Sequence, residues 1–189
     1  MTVVFLDACV LVPITLTNVL LTAAEDSLLQ PHWSPEVLEE AIIAINEIRP
    51  HLNETQIHRR FSAMDAAFPG ASVAGDPSRL DHREFPDPDD RHVVAAAMAA
   101  GVEIIVTANI RDFPTTLMNT LGLIVMSPDE LLLKLLAENK TAVLEVMLKV
   151  ASTLRSPQQS IEELLVALKR AGAPSFAEKA RRLLKHSDH

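Results

Sequence analysis

The sequence predicts a three-layer α/β fold, a central parallel sheet with helices on both faces, followed by a helical C-terminal extension. Three observations predict it. The apolar runs TVVFL, EIIVTA and LGLIVM show no polar alternation, as expected of strands covered on both faces. Segments with helix start signals lie between them. After about Leu136 the strand signal stops and only amphipathic helical patterns follow.

The elements follow in order. TVVFL ends at Asp7, and a helix over residues 11–26 is entered through Pro13. Ser34 caps SPEVLEEAIIAINEI, with Pro35 in the first turn and acids placed to favour the helix dipole. Asn53 caps NETQIHRRFSAMDAAF, which Pro69 and Gly70 close. ASVAG is a short strand candidate, and GDPSRLDHREFPDPDD is a loop by composition. Asp89 or Asp90 opens DRHVVAAAMAA, and Gly101 ends it as a C-terminal glycine cap. EIIVTA and LGLIVM are the remaining strands, and Ser127 with Pro128 opens one more helix. AENKTAVLEVMLKVASTL, SIEELLVALKRAG and SFAEKARRLLKH are helices of the extension, with His186 and His189 read as an unstructured tail. Residues 1–136 form the α/β unit and 137–189 the extension.

Composition narrows the function classes. The chain has 189 residues, enough for one domain with an appendage, and its 48% hydrophobic content points to a globular rather than a disordered chain. The single cysteine, Cys9, allows no intrachain disulfide and fits a reducing cytoplasm. No basic region and uninterrupted apolar run open the sequence, so no secretory signal is expected. Apolar stretches fall short of the ~20 residues that span a bilayer, so no membrane partner is expected. A net charge of −8 opposes a generic nucleic-acid surface, yet acids gathered at a cation site would account for part of it.

Those acids lie where an open parallel sheet binds ligands, beyond the carboxyl ends of its strands. Asp7 follows the first strand, Asn109 and Asp112 follow EIIVTA, and Asp90 starts the helix reached from ASVAG. Carboxylates gathered without a His or Cys partner suit a hard divalent cation, Mg²⁺ or Mn²⁺, and the natural chemistry of such a site is phosphodiester hydrolysis. Each acid also has a plainer reading: Asp7 as a strand end, Asp90 as an N-cap, Asp112 as a turn residue. Asp87 and Asp89 fit turn and cap chemistry. The apolar stripe of the Ser34-capped helix leaves both Glu39 and Glu40 off it, Glu40 only slightly nearer, so periodicity does not choose between them.

VVFLDACVL, SPEVLEEAI, DPDDRHVVAAAMAAG and IVTANIRDF, in this order over roughly the first 136 residues, resemble the PIN domain of VapC-type toxins. The resemblance implies a metal-dependent endoribonuclease using Mg²⁺ or Mn²⁺, with RNA as substrate, a protein antitoxin as partner and a homodimeric state. It places metal-binding acids on Asp7, Glu40, Asp90 and Asp112, and Asn109 where the family carries Asp or Asn, completing the catalytic set. Cys9 stands where many members have Asn, Thr or Ser. Thr107 and Asn109 are candidates to orient water or phosphate, Arg91 and Arg111 to contact phosphate or balance the acids. His92 reads as a helix-face histidine, and Trp33 as a core residue rather than a base-stacking platform. Two other classes compete: a PIN-like binding scaffold without catalysis, and a phosphoryl-transfer enzyme with Asp7 as nucleophile. The second lacks its usual acid two residues on, where Cys9 stands, and no Gly-rich phosphate loop supports nucleotide binding.

Overall fold

In a computed structural model, which describes residues 1–153 and 160–187, four parallel strands form one sheet in the order β2-β1-β3-β4. The strands are β1 (Thr2–Leu6), β2 (Leu29–His32), β3 (Ile104–Val106) and β4 (Ile124–Met126). Val4, Phe5 and Leu6 are all fully buried although successive strand residues point to opposite faces, so helices cover both sides of β1. The three-layer α/β architecture with a helical C-terminal region is therefore present.

Two strand readings change. ASVAG is not a strand: Ser72 forms only an isolated parallel bridge with Trp33. Gly75, its last residue, instead presses against a helix, where an added Cβ would stand 2.2 Å from the Ala95 carbonyl carbon. The strand beside β1 is LQPH, whose Gln, Pro and His carry no strand signal. Pro31 is tolerated because β2 is the sheet edge, where a missing N–H costs no ladder bond.

The helix expected over residues 11–26 and entered through Pro13 is present as α2 (Ile14–Glu25), and a short helix not expected, α1 (Ala8–Leu11), precedes it and stops before Pro13, which has no N–H to continue it. The Leu11 and Pro13 carbonyls at this break accept hydrogen bonds from buried Thr17 Oγ1 at 2.9 and 3.1 Å. Arg60 Nη2 reaches the Leu11 carbonyl at 2.6 Å and Thr17 Oγ1 at 2.8 Å. Burial pulls the Arg60 guanidinium down to about 10, which still leaves it charged at neutral pH.

α3 (Pro35–Ile48) and α4 (Glu54–Ala67) start at Ser34 and Asn53 as their side-chain caps require. Trp33 is fully buried, donates to Asp65 at 2.7 Å and meets Phe68 edge to face, a core role. Three short 3-10 turns lead to α5 (Arg91–Ala99), and α6 (Thr115–Thr120) follows β3. α7 (Pro128–Glu138) carries a capping box made by Ser127 and Glu130.

The extension comprises α8 (Lys140–Thr153), α9 (Ile161–Arg170) and α10 (Pro174–Ser187). Met147, Leu168 and Phe176 join the same core cluster as Phe5 and Leu20. Asp129 of α7 caps α10 by accepting from Ser175 N and Phe176 N at 3.2 and 2.8 Å. His186 lies within α10, not in an unstructured tail, because the helical pattern runs one turn further; His189 falls outside the described residues, as does Leu154 of the α8 reading.

Candidate functional site

The site begins where the ladders of β1 and β3 run out. Asp7 N donates to the Val106 carbonyl at 3.1 Å and Thr107 N to the Met126 carbonyl at 3.1 Å, so both residues sit one step past the last paired strand residues. That places their side chains at the carboxyl edge of adjacent central strands.

Asp7 is almost fully buried and tightly held. Its Oδ1 accepts from Ala8 N at 2.6 Å, and its Oδ2 from Thr107 Oγ1 at 2.6 Å and Cys9 Sγ at 3.2 Å. Cys9 thus takes over hydrogen bonding to Asp7 from the Asn, Thr or Ser expected there. Its sulfur also accepts from Ala108 N at 3.2 Å. Burial and the neighbouring Asp7 charge push the Cys9 thiol up to about 12, which keeps it protonated, a hydrogen-bond donor and no nucleophile. Thr107 is fully buried and orients Asp7 and the Asn109 backbone N–H, which it accepts at 3.0 Å.

Asp90 stands at the N-cap of α5 but makes no cap hydrogen bond, so its carboxylate is not spent on capping. Asp87 caps the preceding turn instead, accepting from Asp89 N at 2.9 Å. Burial, then the charges of Asp7, Asp112 and Asp87, push the Asp90 carboxyl up to about 7. Three separate segments therefore bring Asp7 and Asp112 within electrostatic reach of Asp90. Among the described residues no salt bridge joins a Lys or Arg to any of them. Arg91, expected near phosphate or acids, is tied to the Pro88 carbonyl at 2.7 Å, and Arg111 is exposed. Asn109 is exposed at the rim with no side-chain cap bond, and half-buried Asp112 ends the 3-10 turn beside it.

Glu40 adds a link that the sequence reading passed over. His92 Nε2 lies 2.8 Å from Glu40 Oε1, joining α5 to α3. Burial pulls the His92 ring down, but the Glu40 hydrogen bond and charge, with Asp7 and Glu36 beyond, outweigh it and leave the ring raised. A cavity of about 410 Å³ lies beside this pair, lined by Glu36, Glu39, Asp89 and Arg91 among others. The sequence shows only that His92 follows Asp90 by two residues on the first turn of a helix; its pairing with α3 needed the fold.

The donor set is all oxygen: the thiol is protonated and the imidazole is already engaged. This fits a hard divalent cation, which needs only one or two carboxylates and keeps several waters. Among the described residues no group of three His, Cys, Asp or Glu side chains is placed to hold a metal ion together.

A PIN domain family model matches residues 3–111, more than half the chain, and a VapC50 C-terminal domain model matches residues 128–182. The chain is 37% identical over 94 residues to the "Putative ribonuclease VapC50" of Mycobacterium tuberculosis (strain ATCC 25618 / H37Rv), covering 50% of this chain and 55% of that protein. It thus spans about half the length of the curated relative it matches. No solved structure matches it. The chain belongs to the PIN domain family.

Proposed function

We propose that this chain is an endoribonuclease that hydrolyses RNA phosphodiester bonds with Mg²⁺ or Mn²⁺ held by Asp7, Glu40, Asp90 and Asp112. The observation that carries this reading is the convergence of Asp7 and Asp112 on Asp90 at one sheet edge, with no Lys or Arg salt-bridged to any of the three among the described residues. A divalent ion bound there supplies polarisation of the phosphate and a lowered pKa for the attacking water.

The chain's own residues do the rest. Asp7, fixed by three donors, presents one orientation and needs no rearrangement on loading. Asp90 gives up its proton as the site fills, since its raised value reflects uncompensated like charge. Asn109, exposed at the rim, offers an amide N–H to the scissile phosphate or its water.

The same reading makes the protein the toxin of a toxin-antitoxin pair, cytoplasmic, homodimeric and neutralised by a protein that places a cation among the acids. Its support is the VapC-type relationship and the unbalanced negative field. Among the described residues no helix is long and apolar enough to cross a membrane. One second reading, a PIN-like binding scaffold without catalysis, is supported by the lack, among the described residues, of any group of three His, Cys, Asp or Glu side chains placed to hold a metal ion.

Purified protein incubated with mixed cellular RNA and Mg²⁺ or Mn²⁺ tests this, alongside EDTA controls and folded Asp7→Asn and Asp90→Asn variants. Cleavage that requires metal and disappears in both variants supports the nuclease. Tight metal binding with neither RNA nor single-stranded DNA cut supports the scaffold.

A further inference from the structure

We propose that His92 is a positioning residue that holds Glu40, and not its neighbour Glu39, in place at the carboxylate edge. The inference rests on the nuclease reading above. Glu40 is about half exposed, and a glutamate so placed samples many rotamers. His92, in contrast, is a largely buried ring, with a side chain only 16% exposed. The fixed partner therefore restrains the mobile one through the 2.8 Å contact between Nε2 and Oε1.

The contact also sets a reference. His92 lies on the first turn of α5, two residues after Asp90, so the contact ties the Glu40 carboxyl to the helix that carries Asp90. Only Oε1 is engaged by His92, which leaves Oε2 for an ion or a water of its shell. Glu39 is exposed, and among the described residues it makes no comparable contact.

Keeping the ring here has a cost. His92 Nδ1 is buried and has no hydrogen-bond partner among the described residues. An apolar side chain would fill the same space without leaving a buried polar atom unpaired. The unpaired nitrogen is understandable when the other ring nitrogen does work that packing alone cannot, namely orienting a carboxylate by an outer hydrogen bond.

The test uses Mn²⁺ alone as probe, counting free ion by electron paramagnetic resonance, with RNA cleavage measured in parallel on the full chain. His92→Ala weakens Mn²⁺ binding by roughly 10-fold, the usual scale for losing an outer hydrogen bond to a metal ligand. His92→Gln restores most of it, because its amide N–H reaches where Nε2 sits. His92→Asn is too short and behaves as Ala, which keeps the test decisive if the alanine variant does not fold. Glu40→Gln weakens binding by itself, His92→Ala adds nothing in that background, and Glu39→Gln binds as wild type. The proposal is overturned if His92→Ala and His92→Asn bind Mn²⁺ as tightly as wild type, or if the His92 and Glu40 losses multiply. Should wild type bind no Mn²⁺ and cut no RNA, the nuclease reading falls as well; normal wild-type behaviour with unaffected His92 variants removes the positioning role alone.

Discussion

The carboxyl edge of the sheet and the outer face of the C-terminal helices both carry dense charge, arranged in opposite ways. On α9 and α10, Arg181 pairs with Glu162 at 2.9 Å and Glu178 at 3.4 Å, and Arg182 with Glu178 at 3.2 Å. Lys149 of α8 likewise bridges to Asp26 at 3.0 Å, tying the extension to the end of α2. At the sheet edge, Asp90 feels the charges of Asp7 and Asp112, no Lys or Arg salt bridge joins any of the three among the described residues, and Asp90 is pushed up to about 7. Paired surface charge is solvation and modest stabilisation. Like charge without such partners costs stability, which is why perturbed carboxylates in a cleft mark a candidate functional site.

Breaking the edge gives the largest effect. Asp7→Asn removes the anion while keeping the amide shape, and RNA cleavage falls by on the order of 10²-fold or more, the scale for losing one preorganised electrostatic group. A single-turnover assay with a melting curve on the same sample checks that the fold survives.

Next in size is Gly75→Ala, whose Cβ would stand 2.2 Å from the Ala95 carbonyl carbon in α5. Backbone must move, so stability drops by roughly 1–3 kcal/mol or more, read from chemical denaturation. Because α5 carries Asp90 and His92, metal affinity falls with it.

Asp90→Asn sharpens the comparison from the stability side. A carboxyl whose folded value lies above its unfolded value contributes stability fully present below the unfolded value near 4, lost as pH rises to about 7. In metal-free buffer the asparagine variant is therefore more stable than wild type at pH 8, and the gap closes toward pH 4. Asp90 is half-buried, so solvent screening reduces the gain to about 1 kcal/mol, or roughly 2–4 °C in Tm. On α9, by contrast, Glu162→Gln loses a partly exposed ion pair and costs about 0–1 kcal/mol. The Asp90 and Glu162 substitutions thus move stability in opposite directions at pH 8.

How much of this was legible in the sequence depended on how local the signal was. β1 and Asp7 were readable because an unbroken apolar run ending in an acid has few other meanings. The caps at Ser34, Asn53 and Ser127 were readable because each is settled within one turn. β2 was not: LQPH becomes a strand only because β1 pairs with it, and its composition resists the reading. ASVAG looked like a strand by composition, but Gly75 is required for a close approach to α5 that no local pattern announces. At the site, the positions of Asp7, Asp90 and Asp112 followed from strand ends and one helix start. The Cys9 and Thr107 hydrogen bonds to Asp7, and the His92 contact with Glu40, join elements far apart in sequence and needed the fold.

The most direct measurement is calorimetric titration of Mn²⁺ into the metal-free protein near pH 7, in buffers of different ionisation enthalpy, with Tm recorded before and after loading. If the frustrated acids exist to receive a cation, wild type binds Mn²⁺, gains thermal stability and releases about half a proton, the fraction a group titrating near 7 carries at that pH. Asp90→Asn then releases none and gains little. Equal binding, proton release and Tm shift in wild type, Asp7→Asn and Asp90→Asn, or no binding by wild type, would contradict the account.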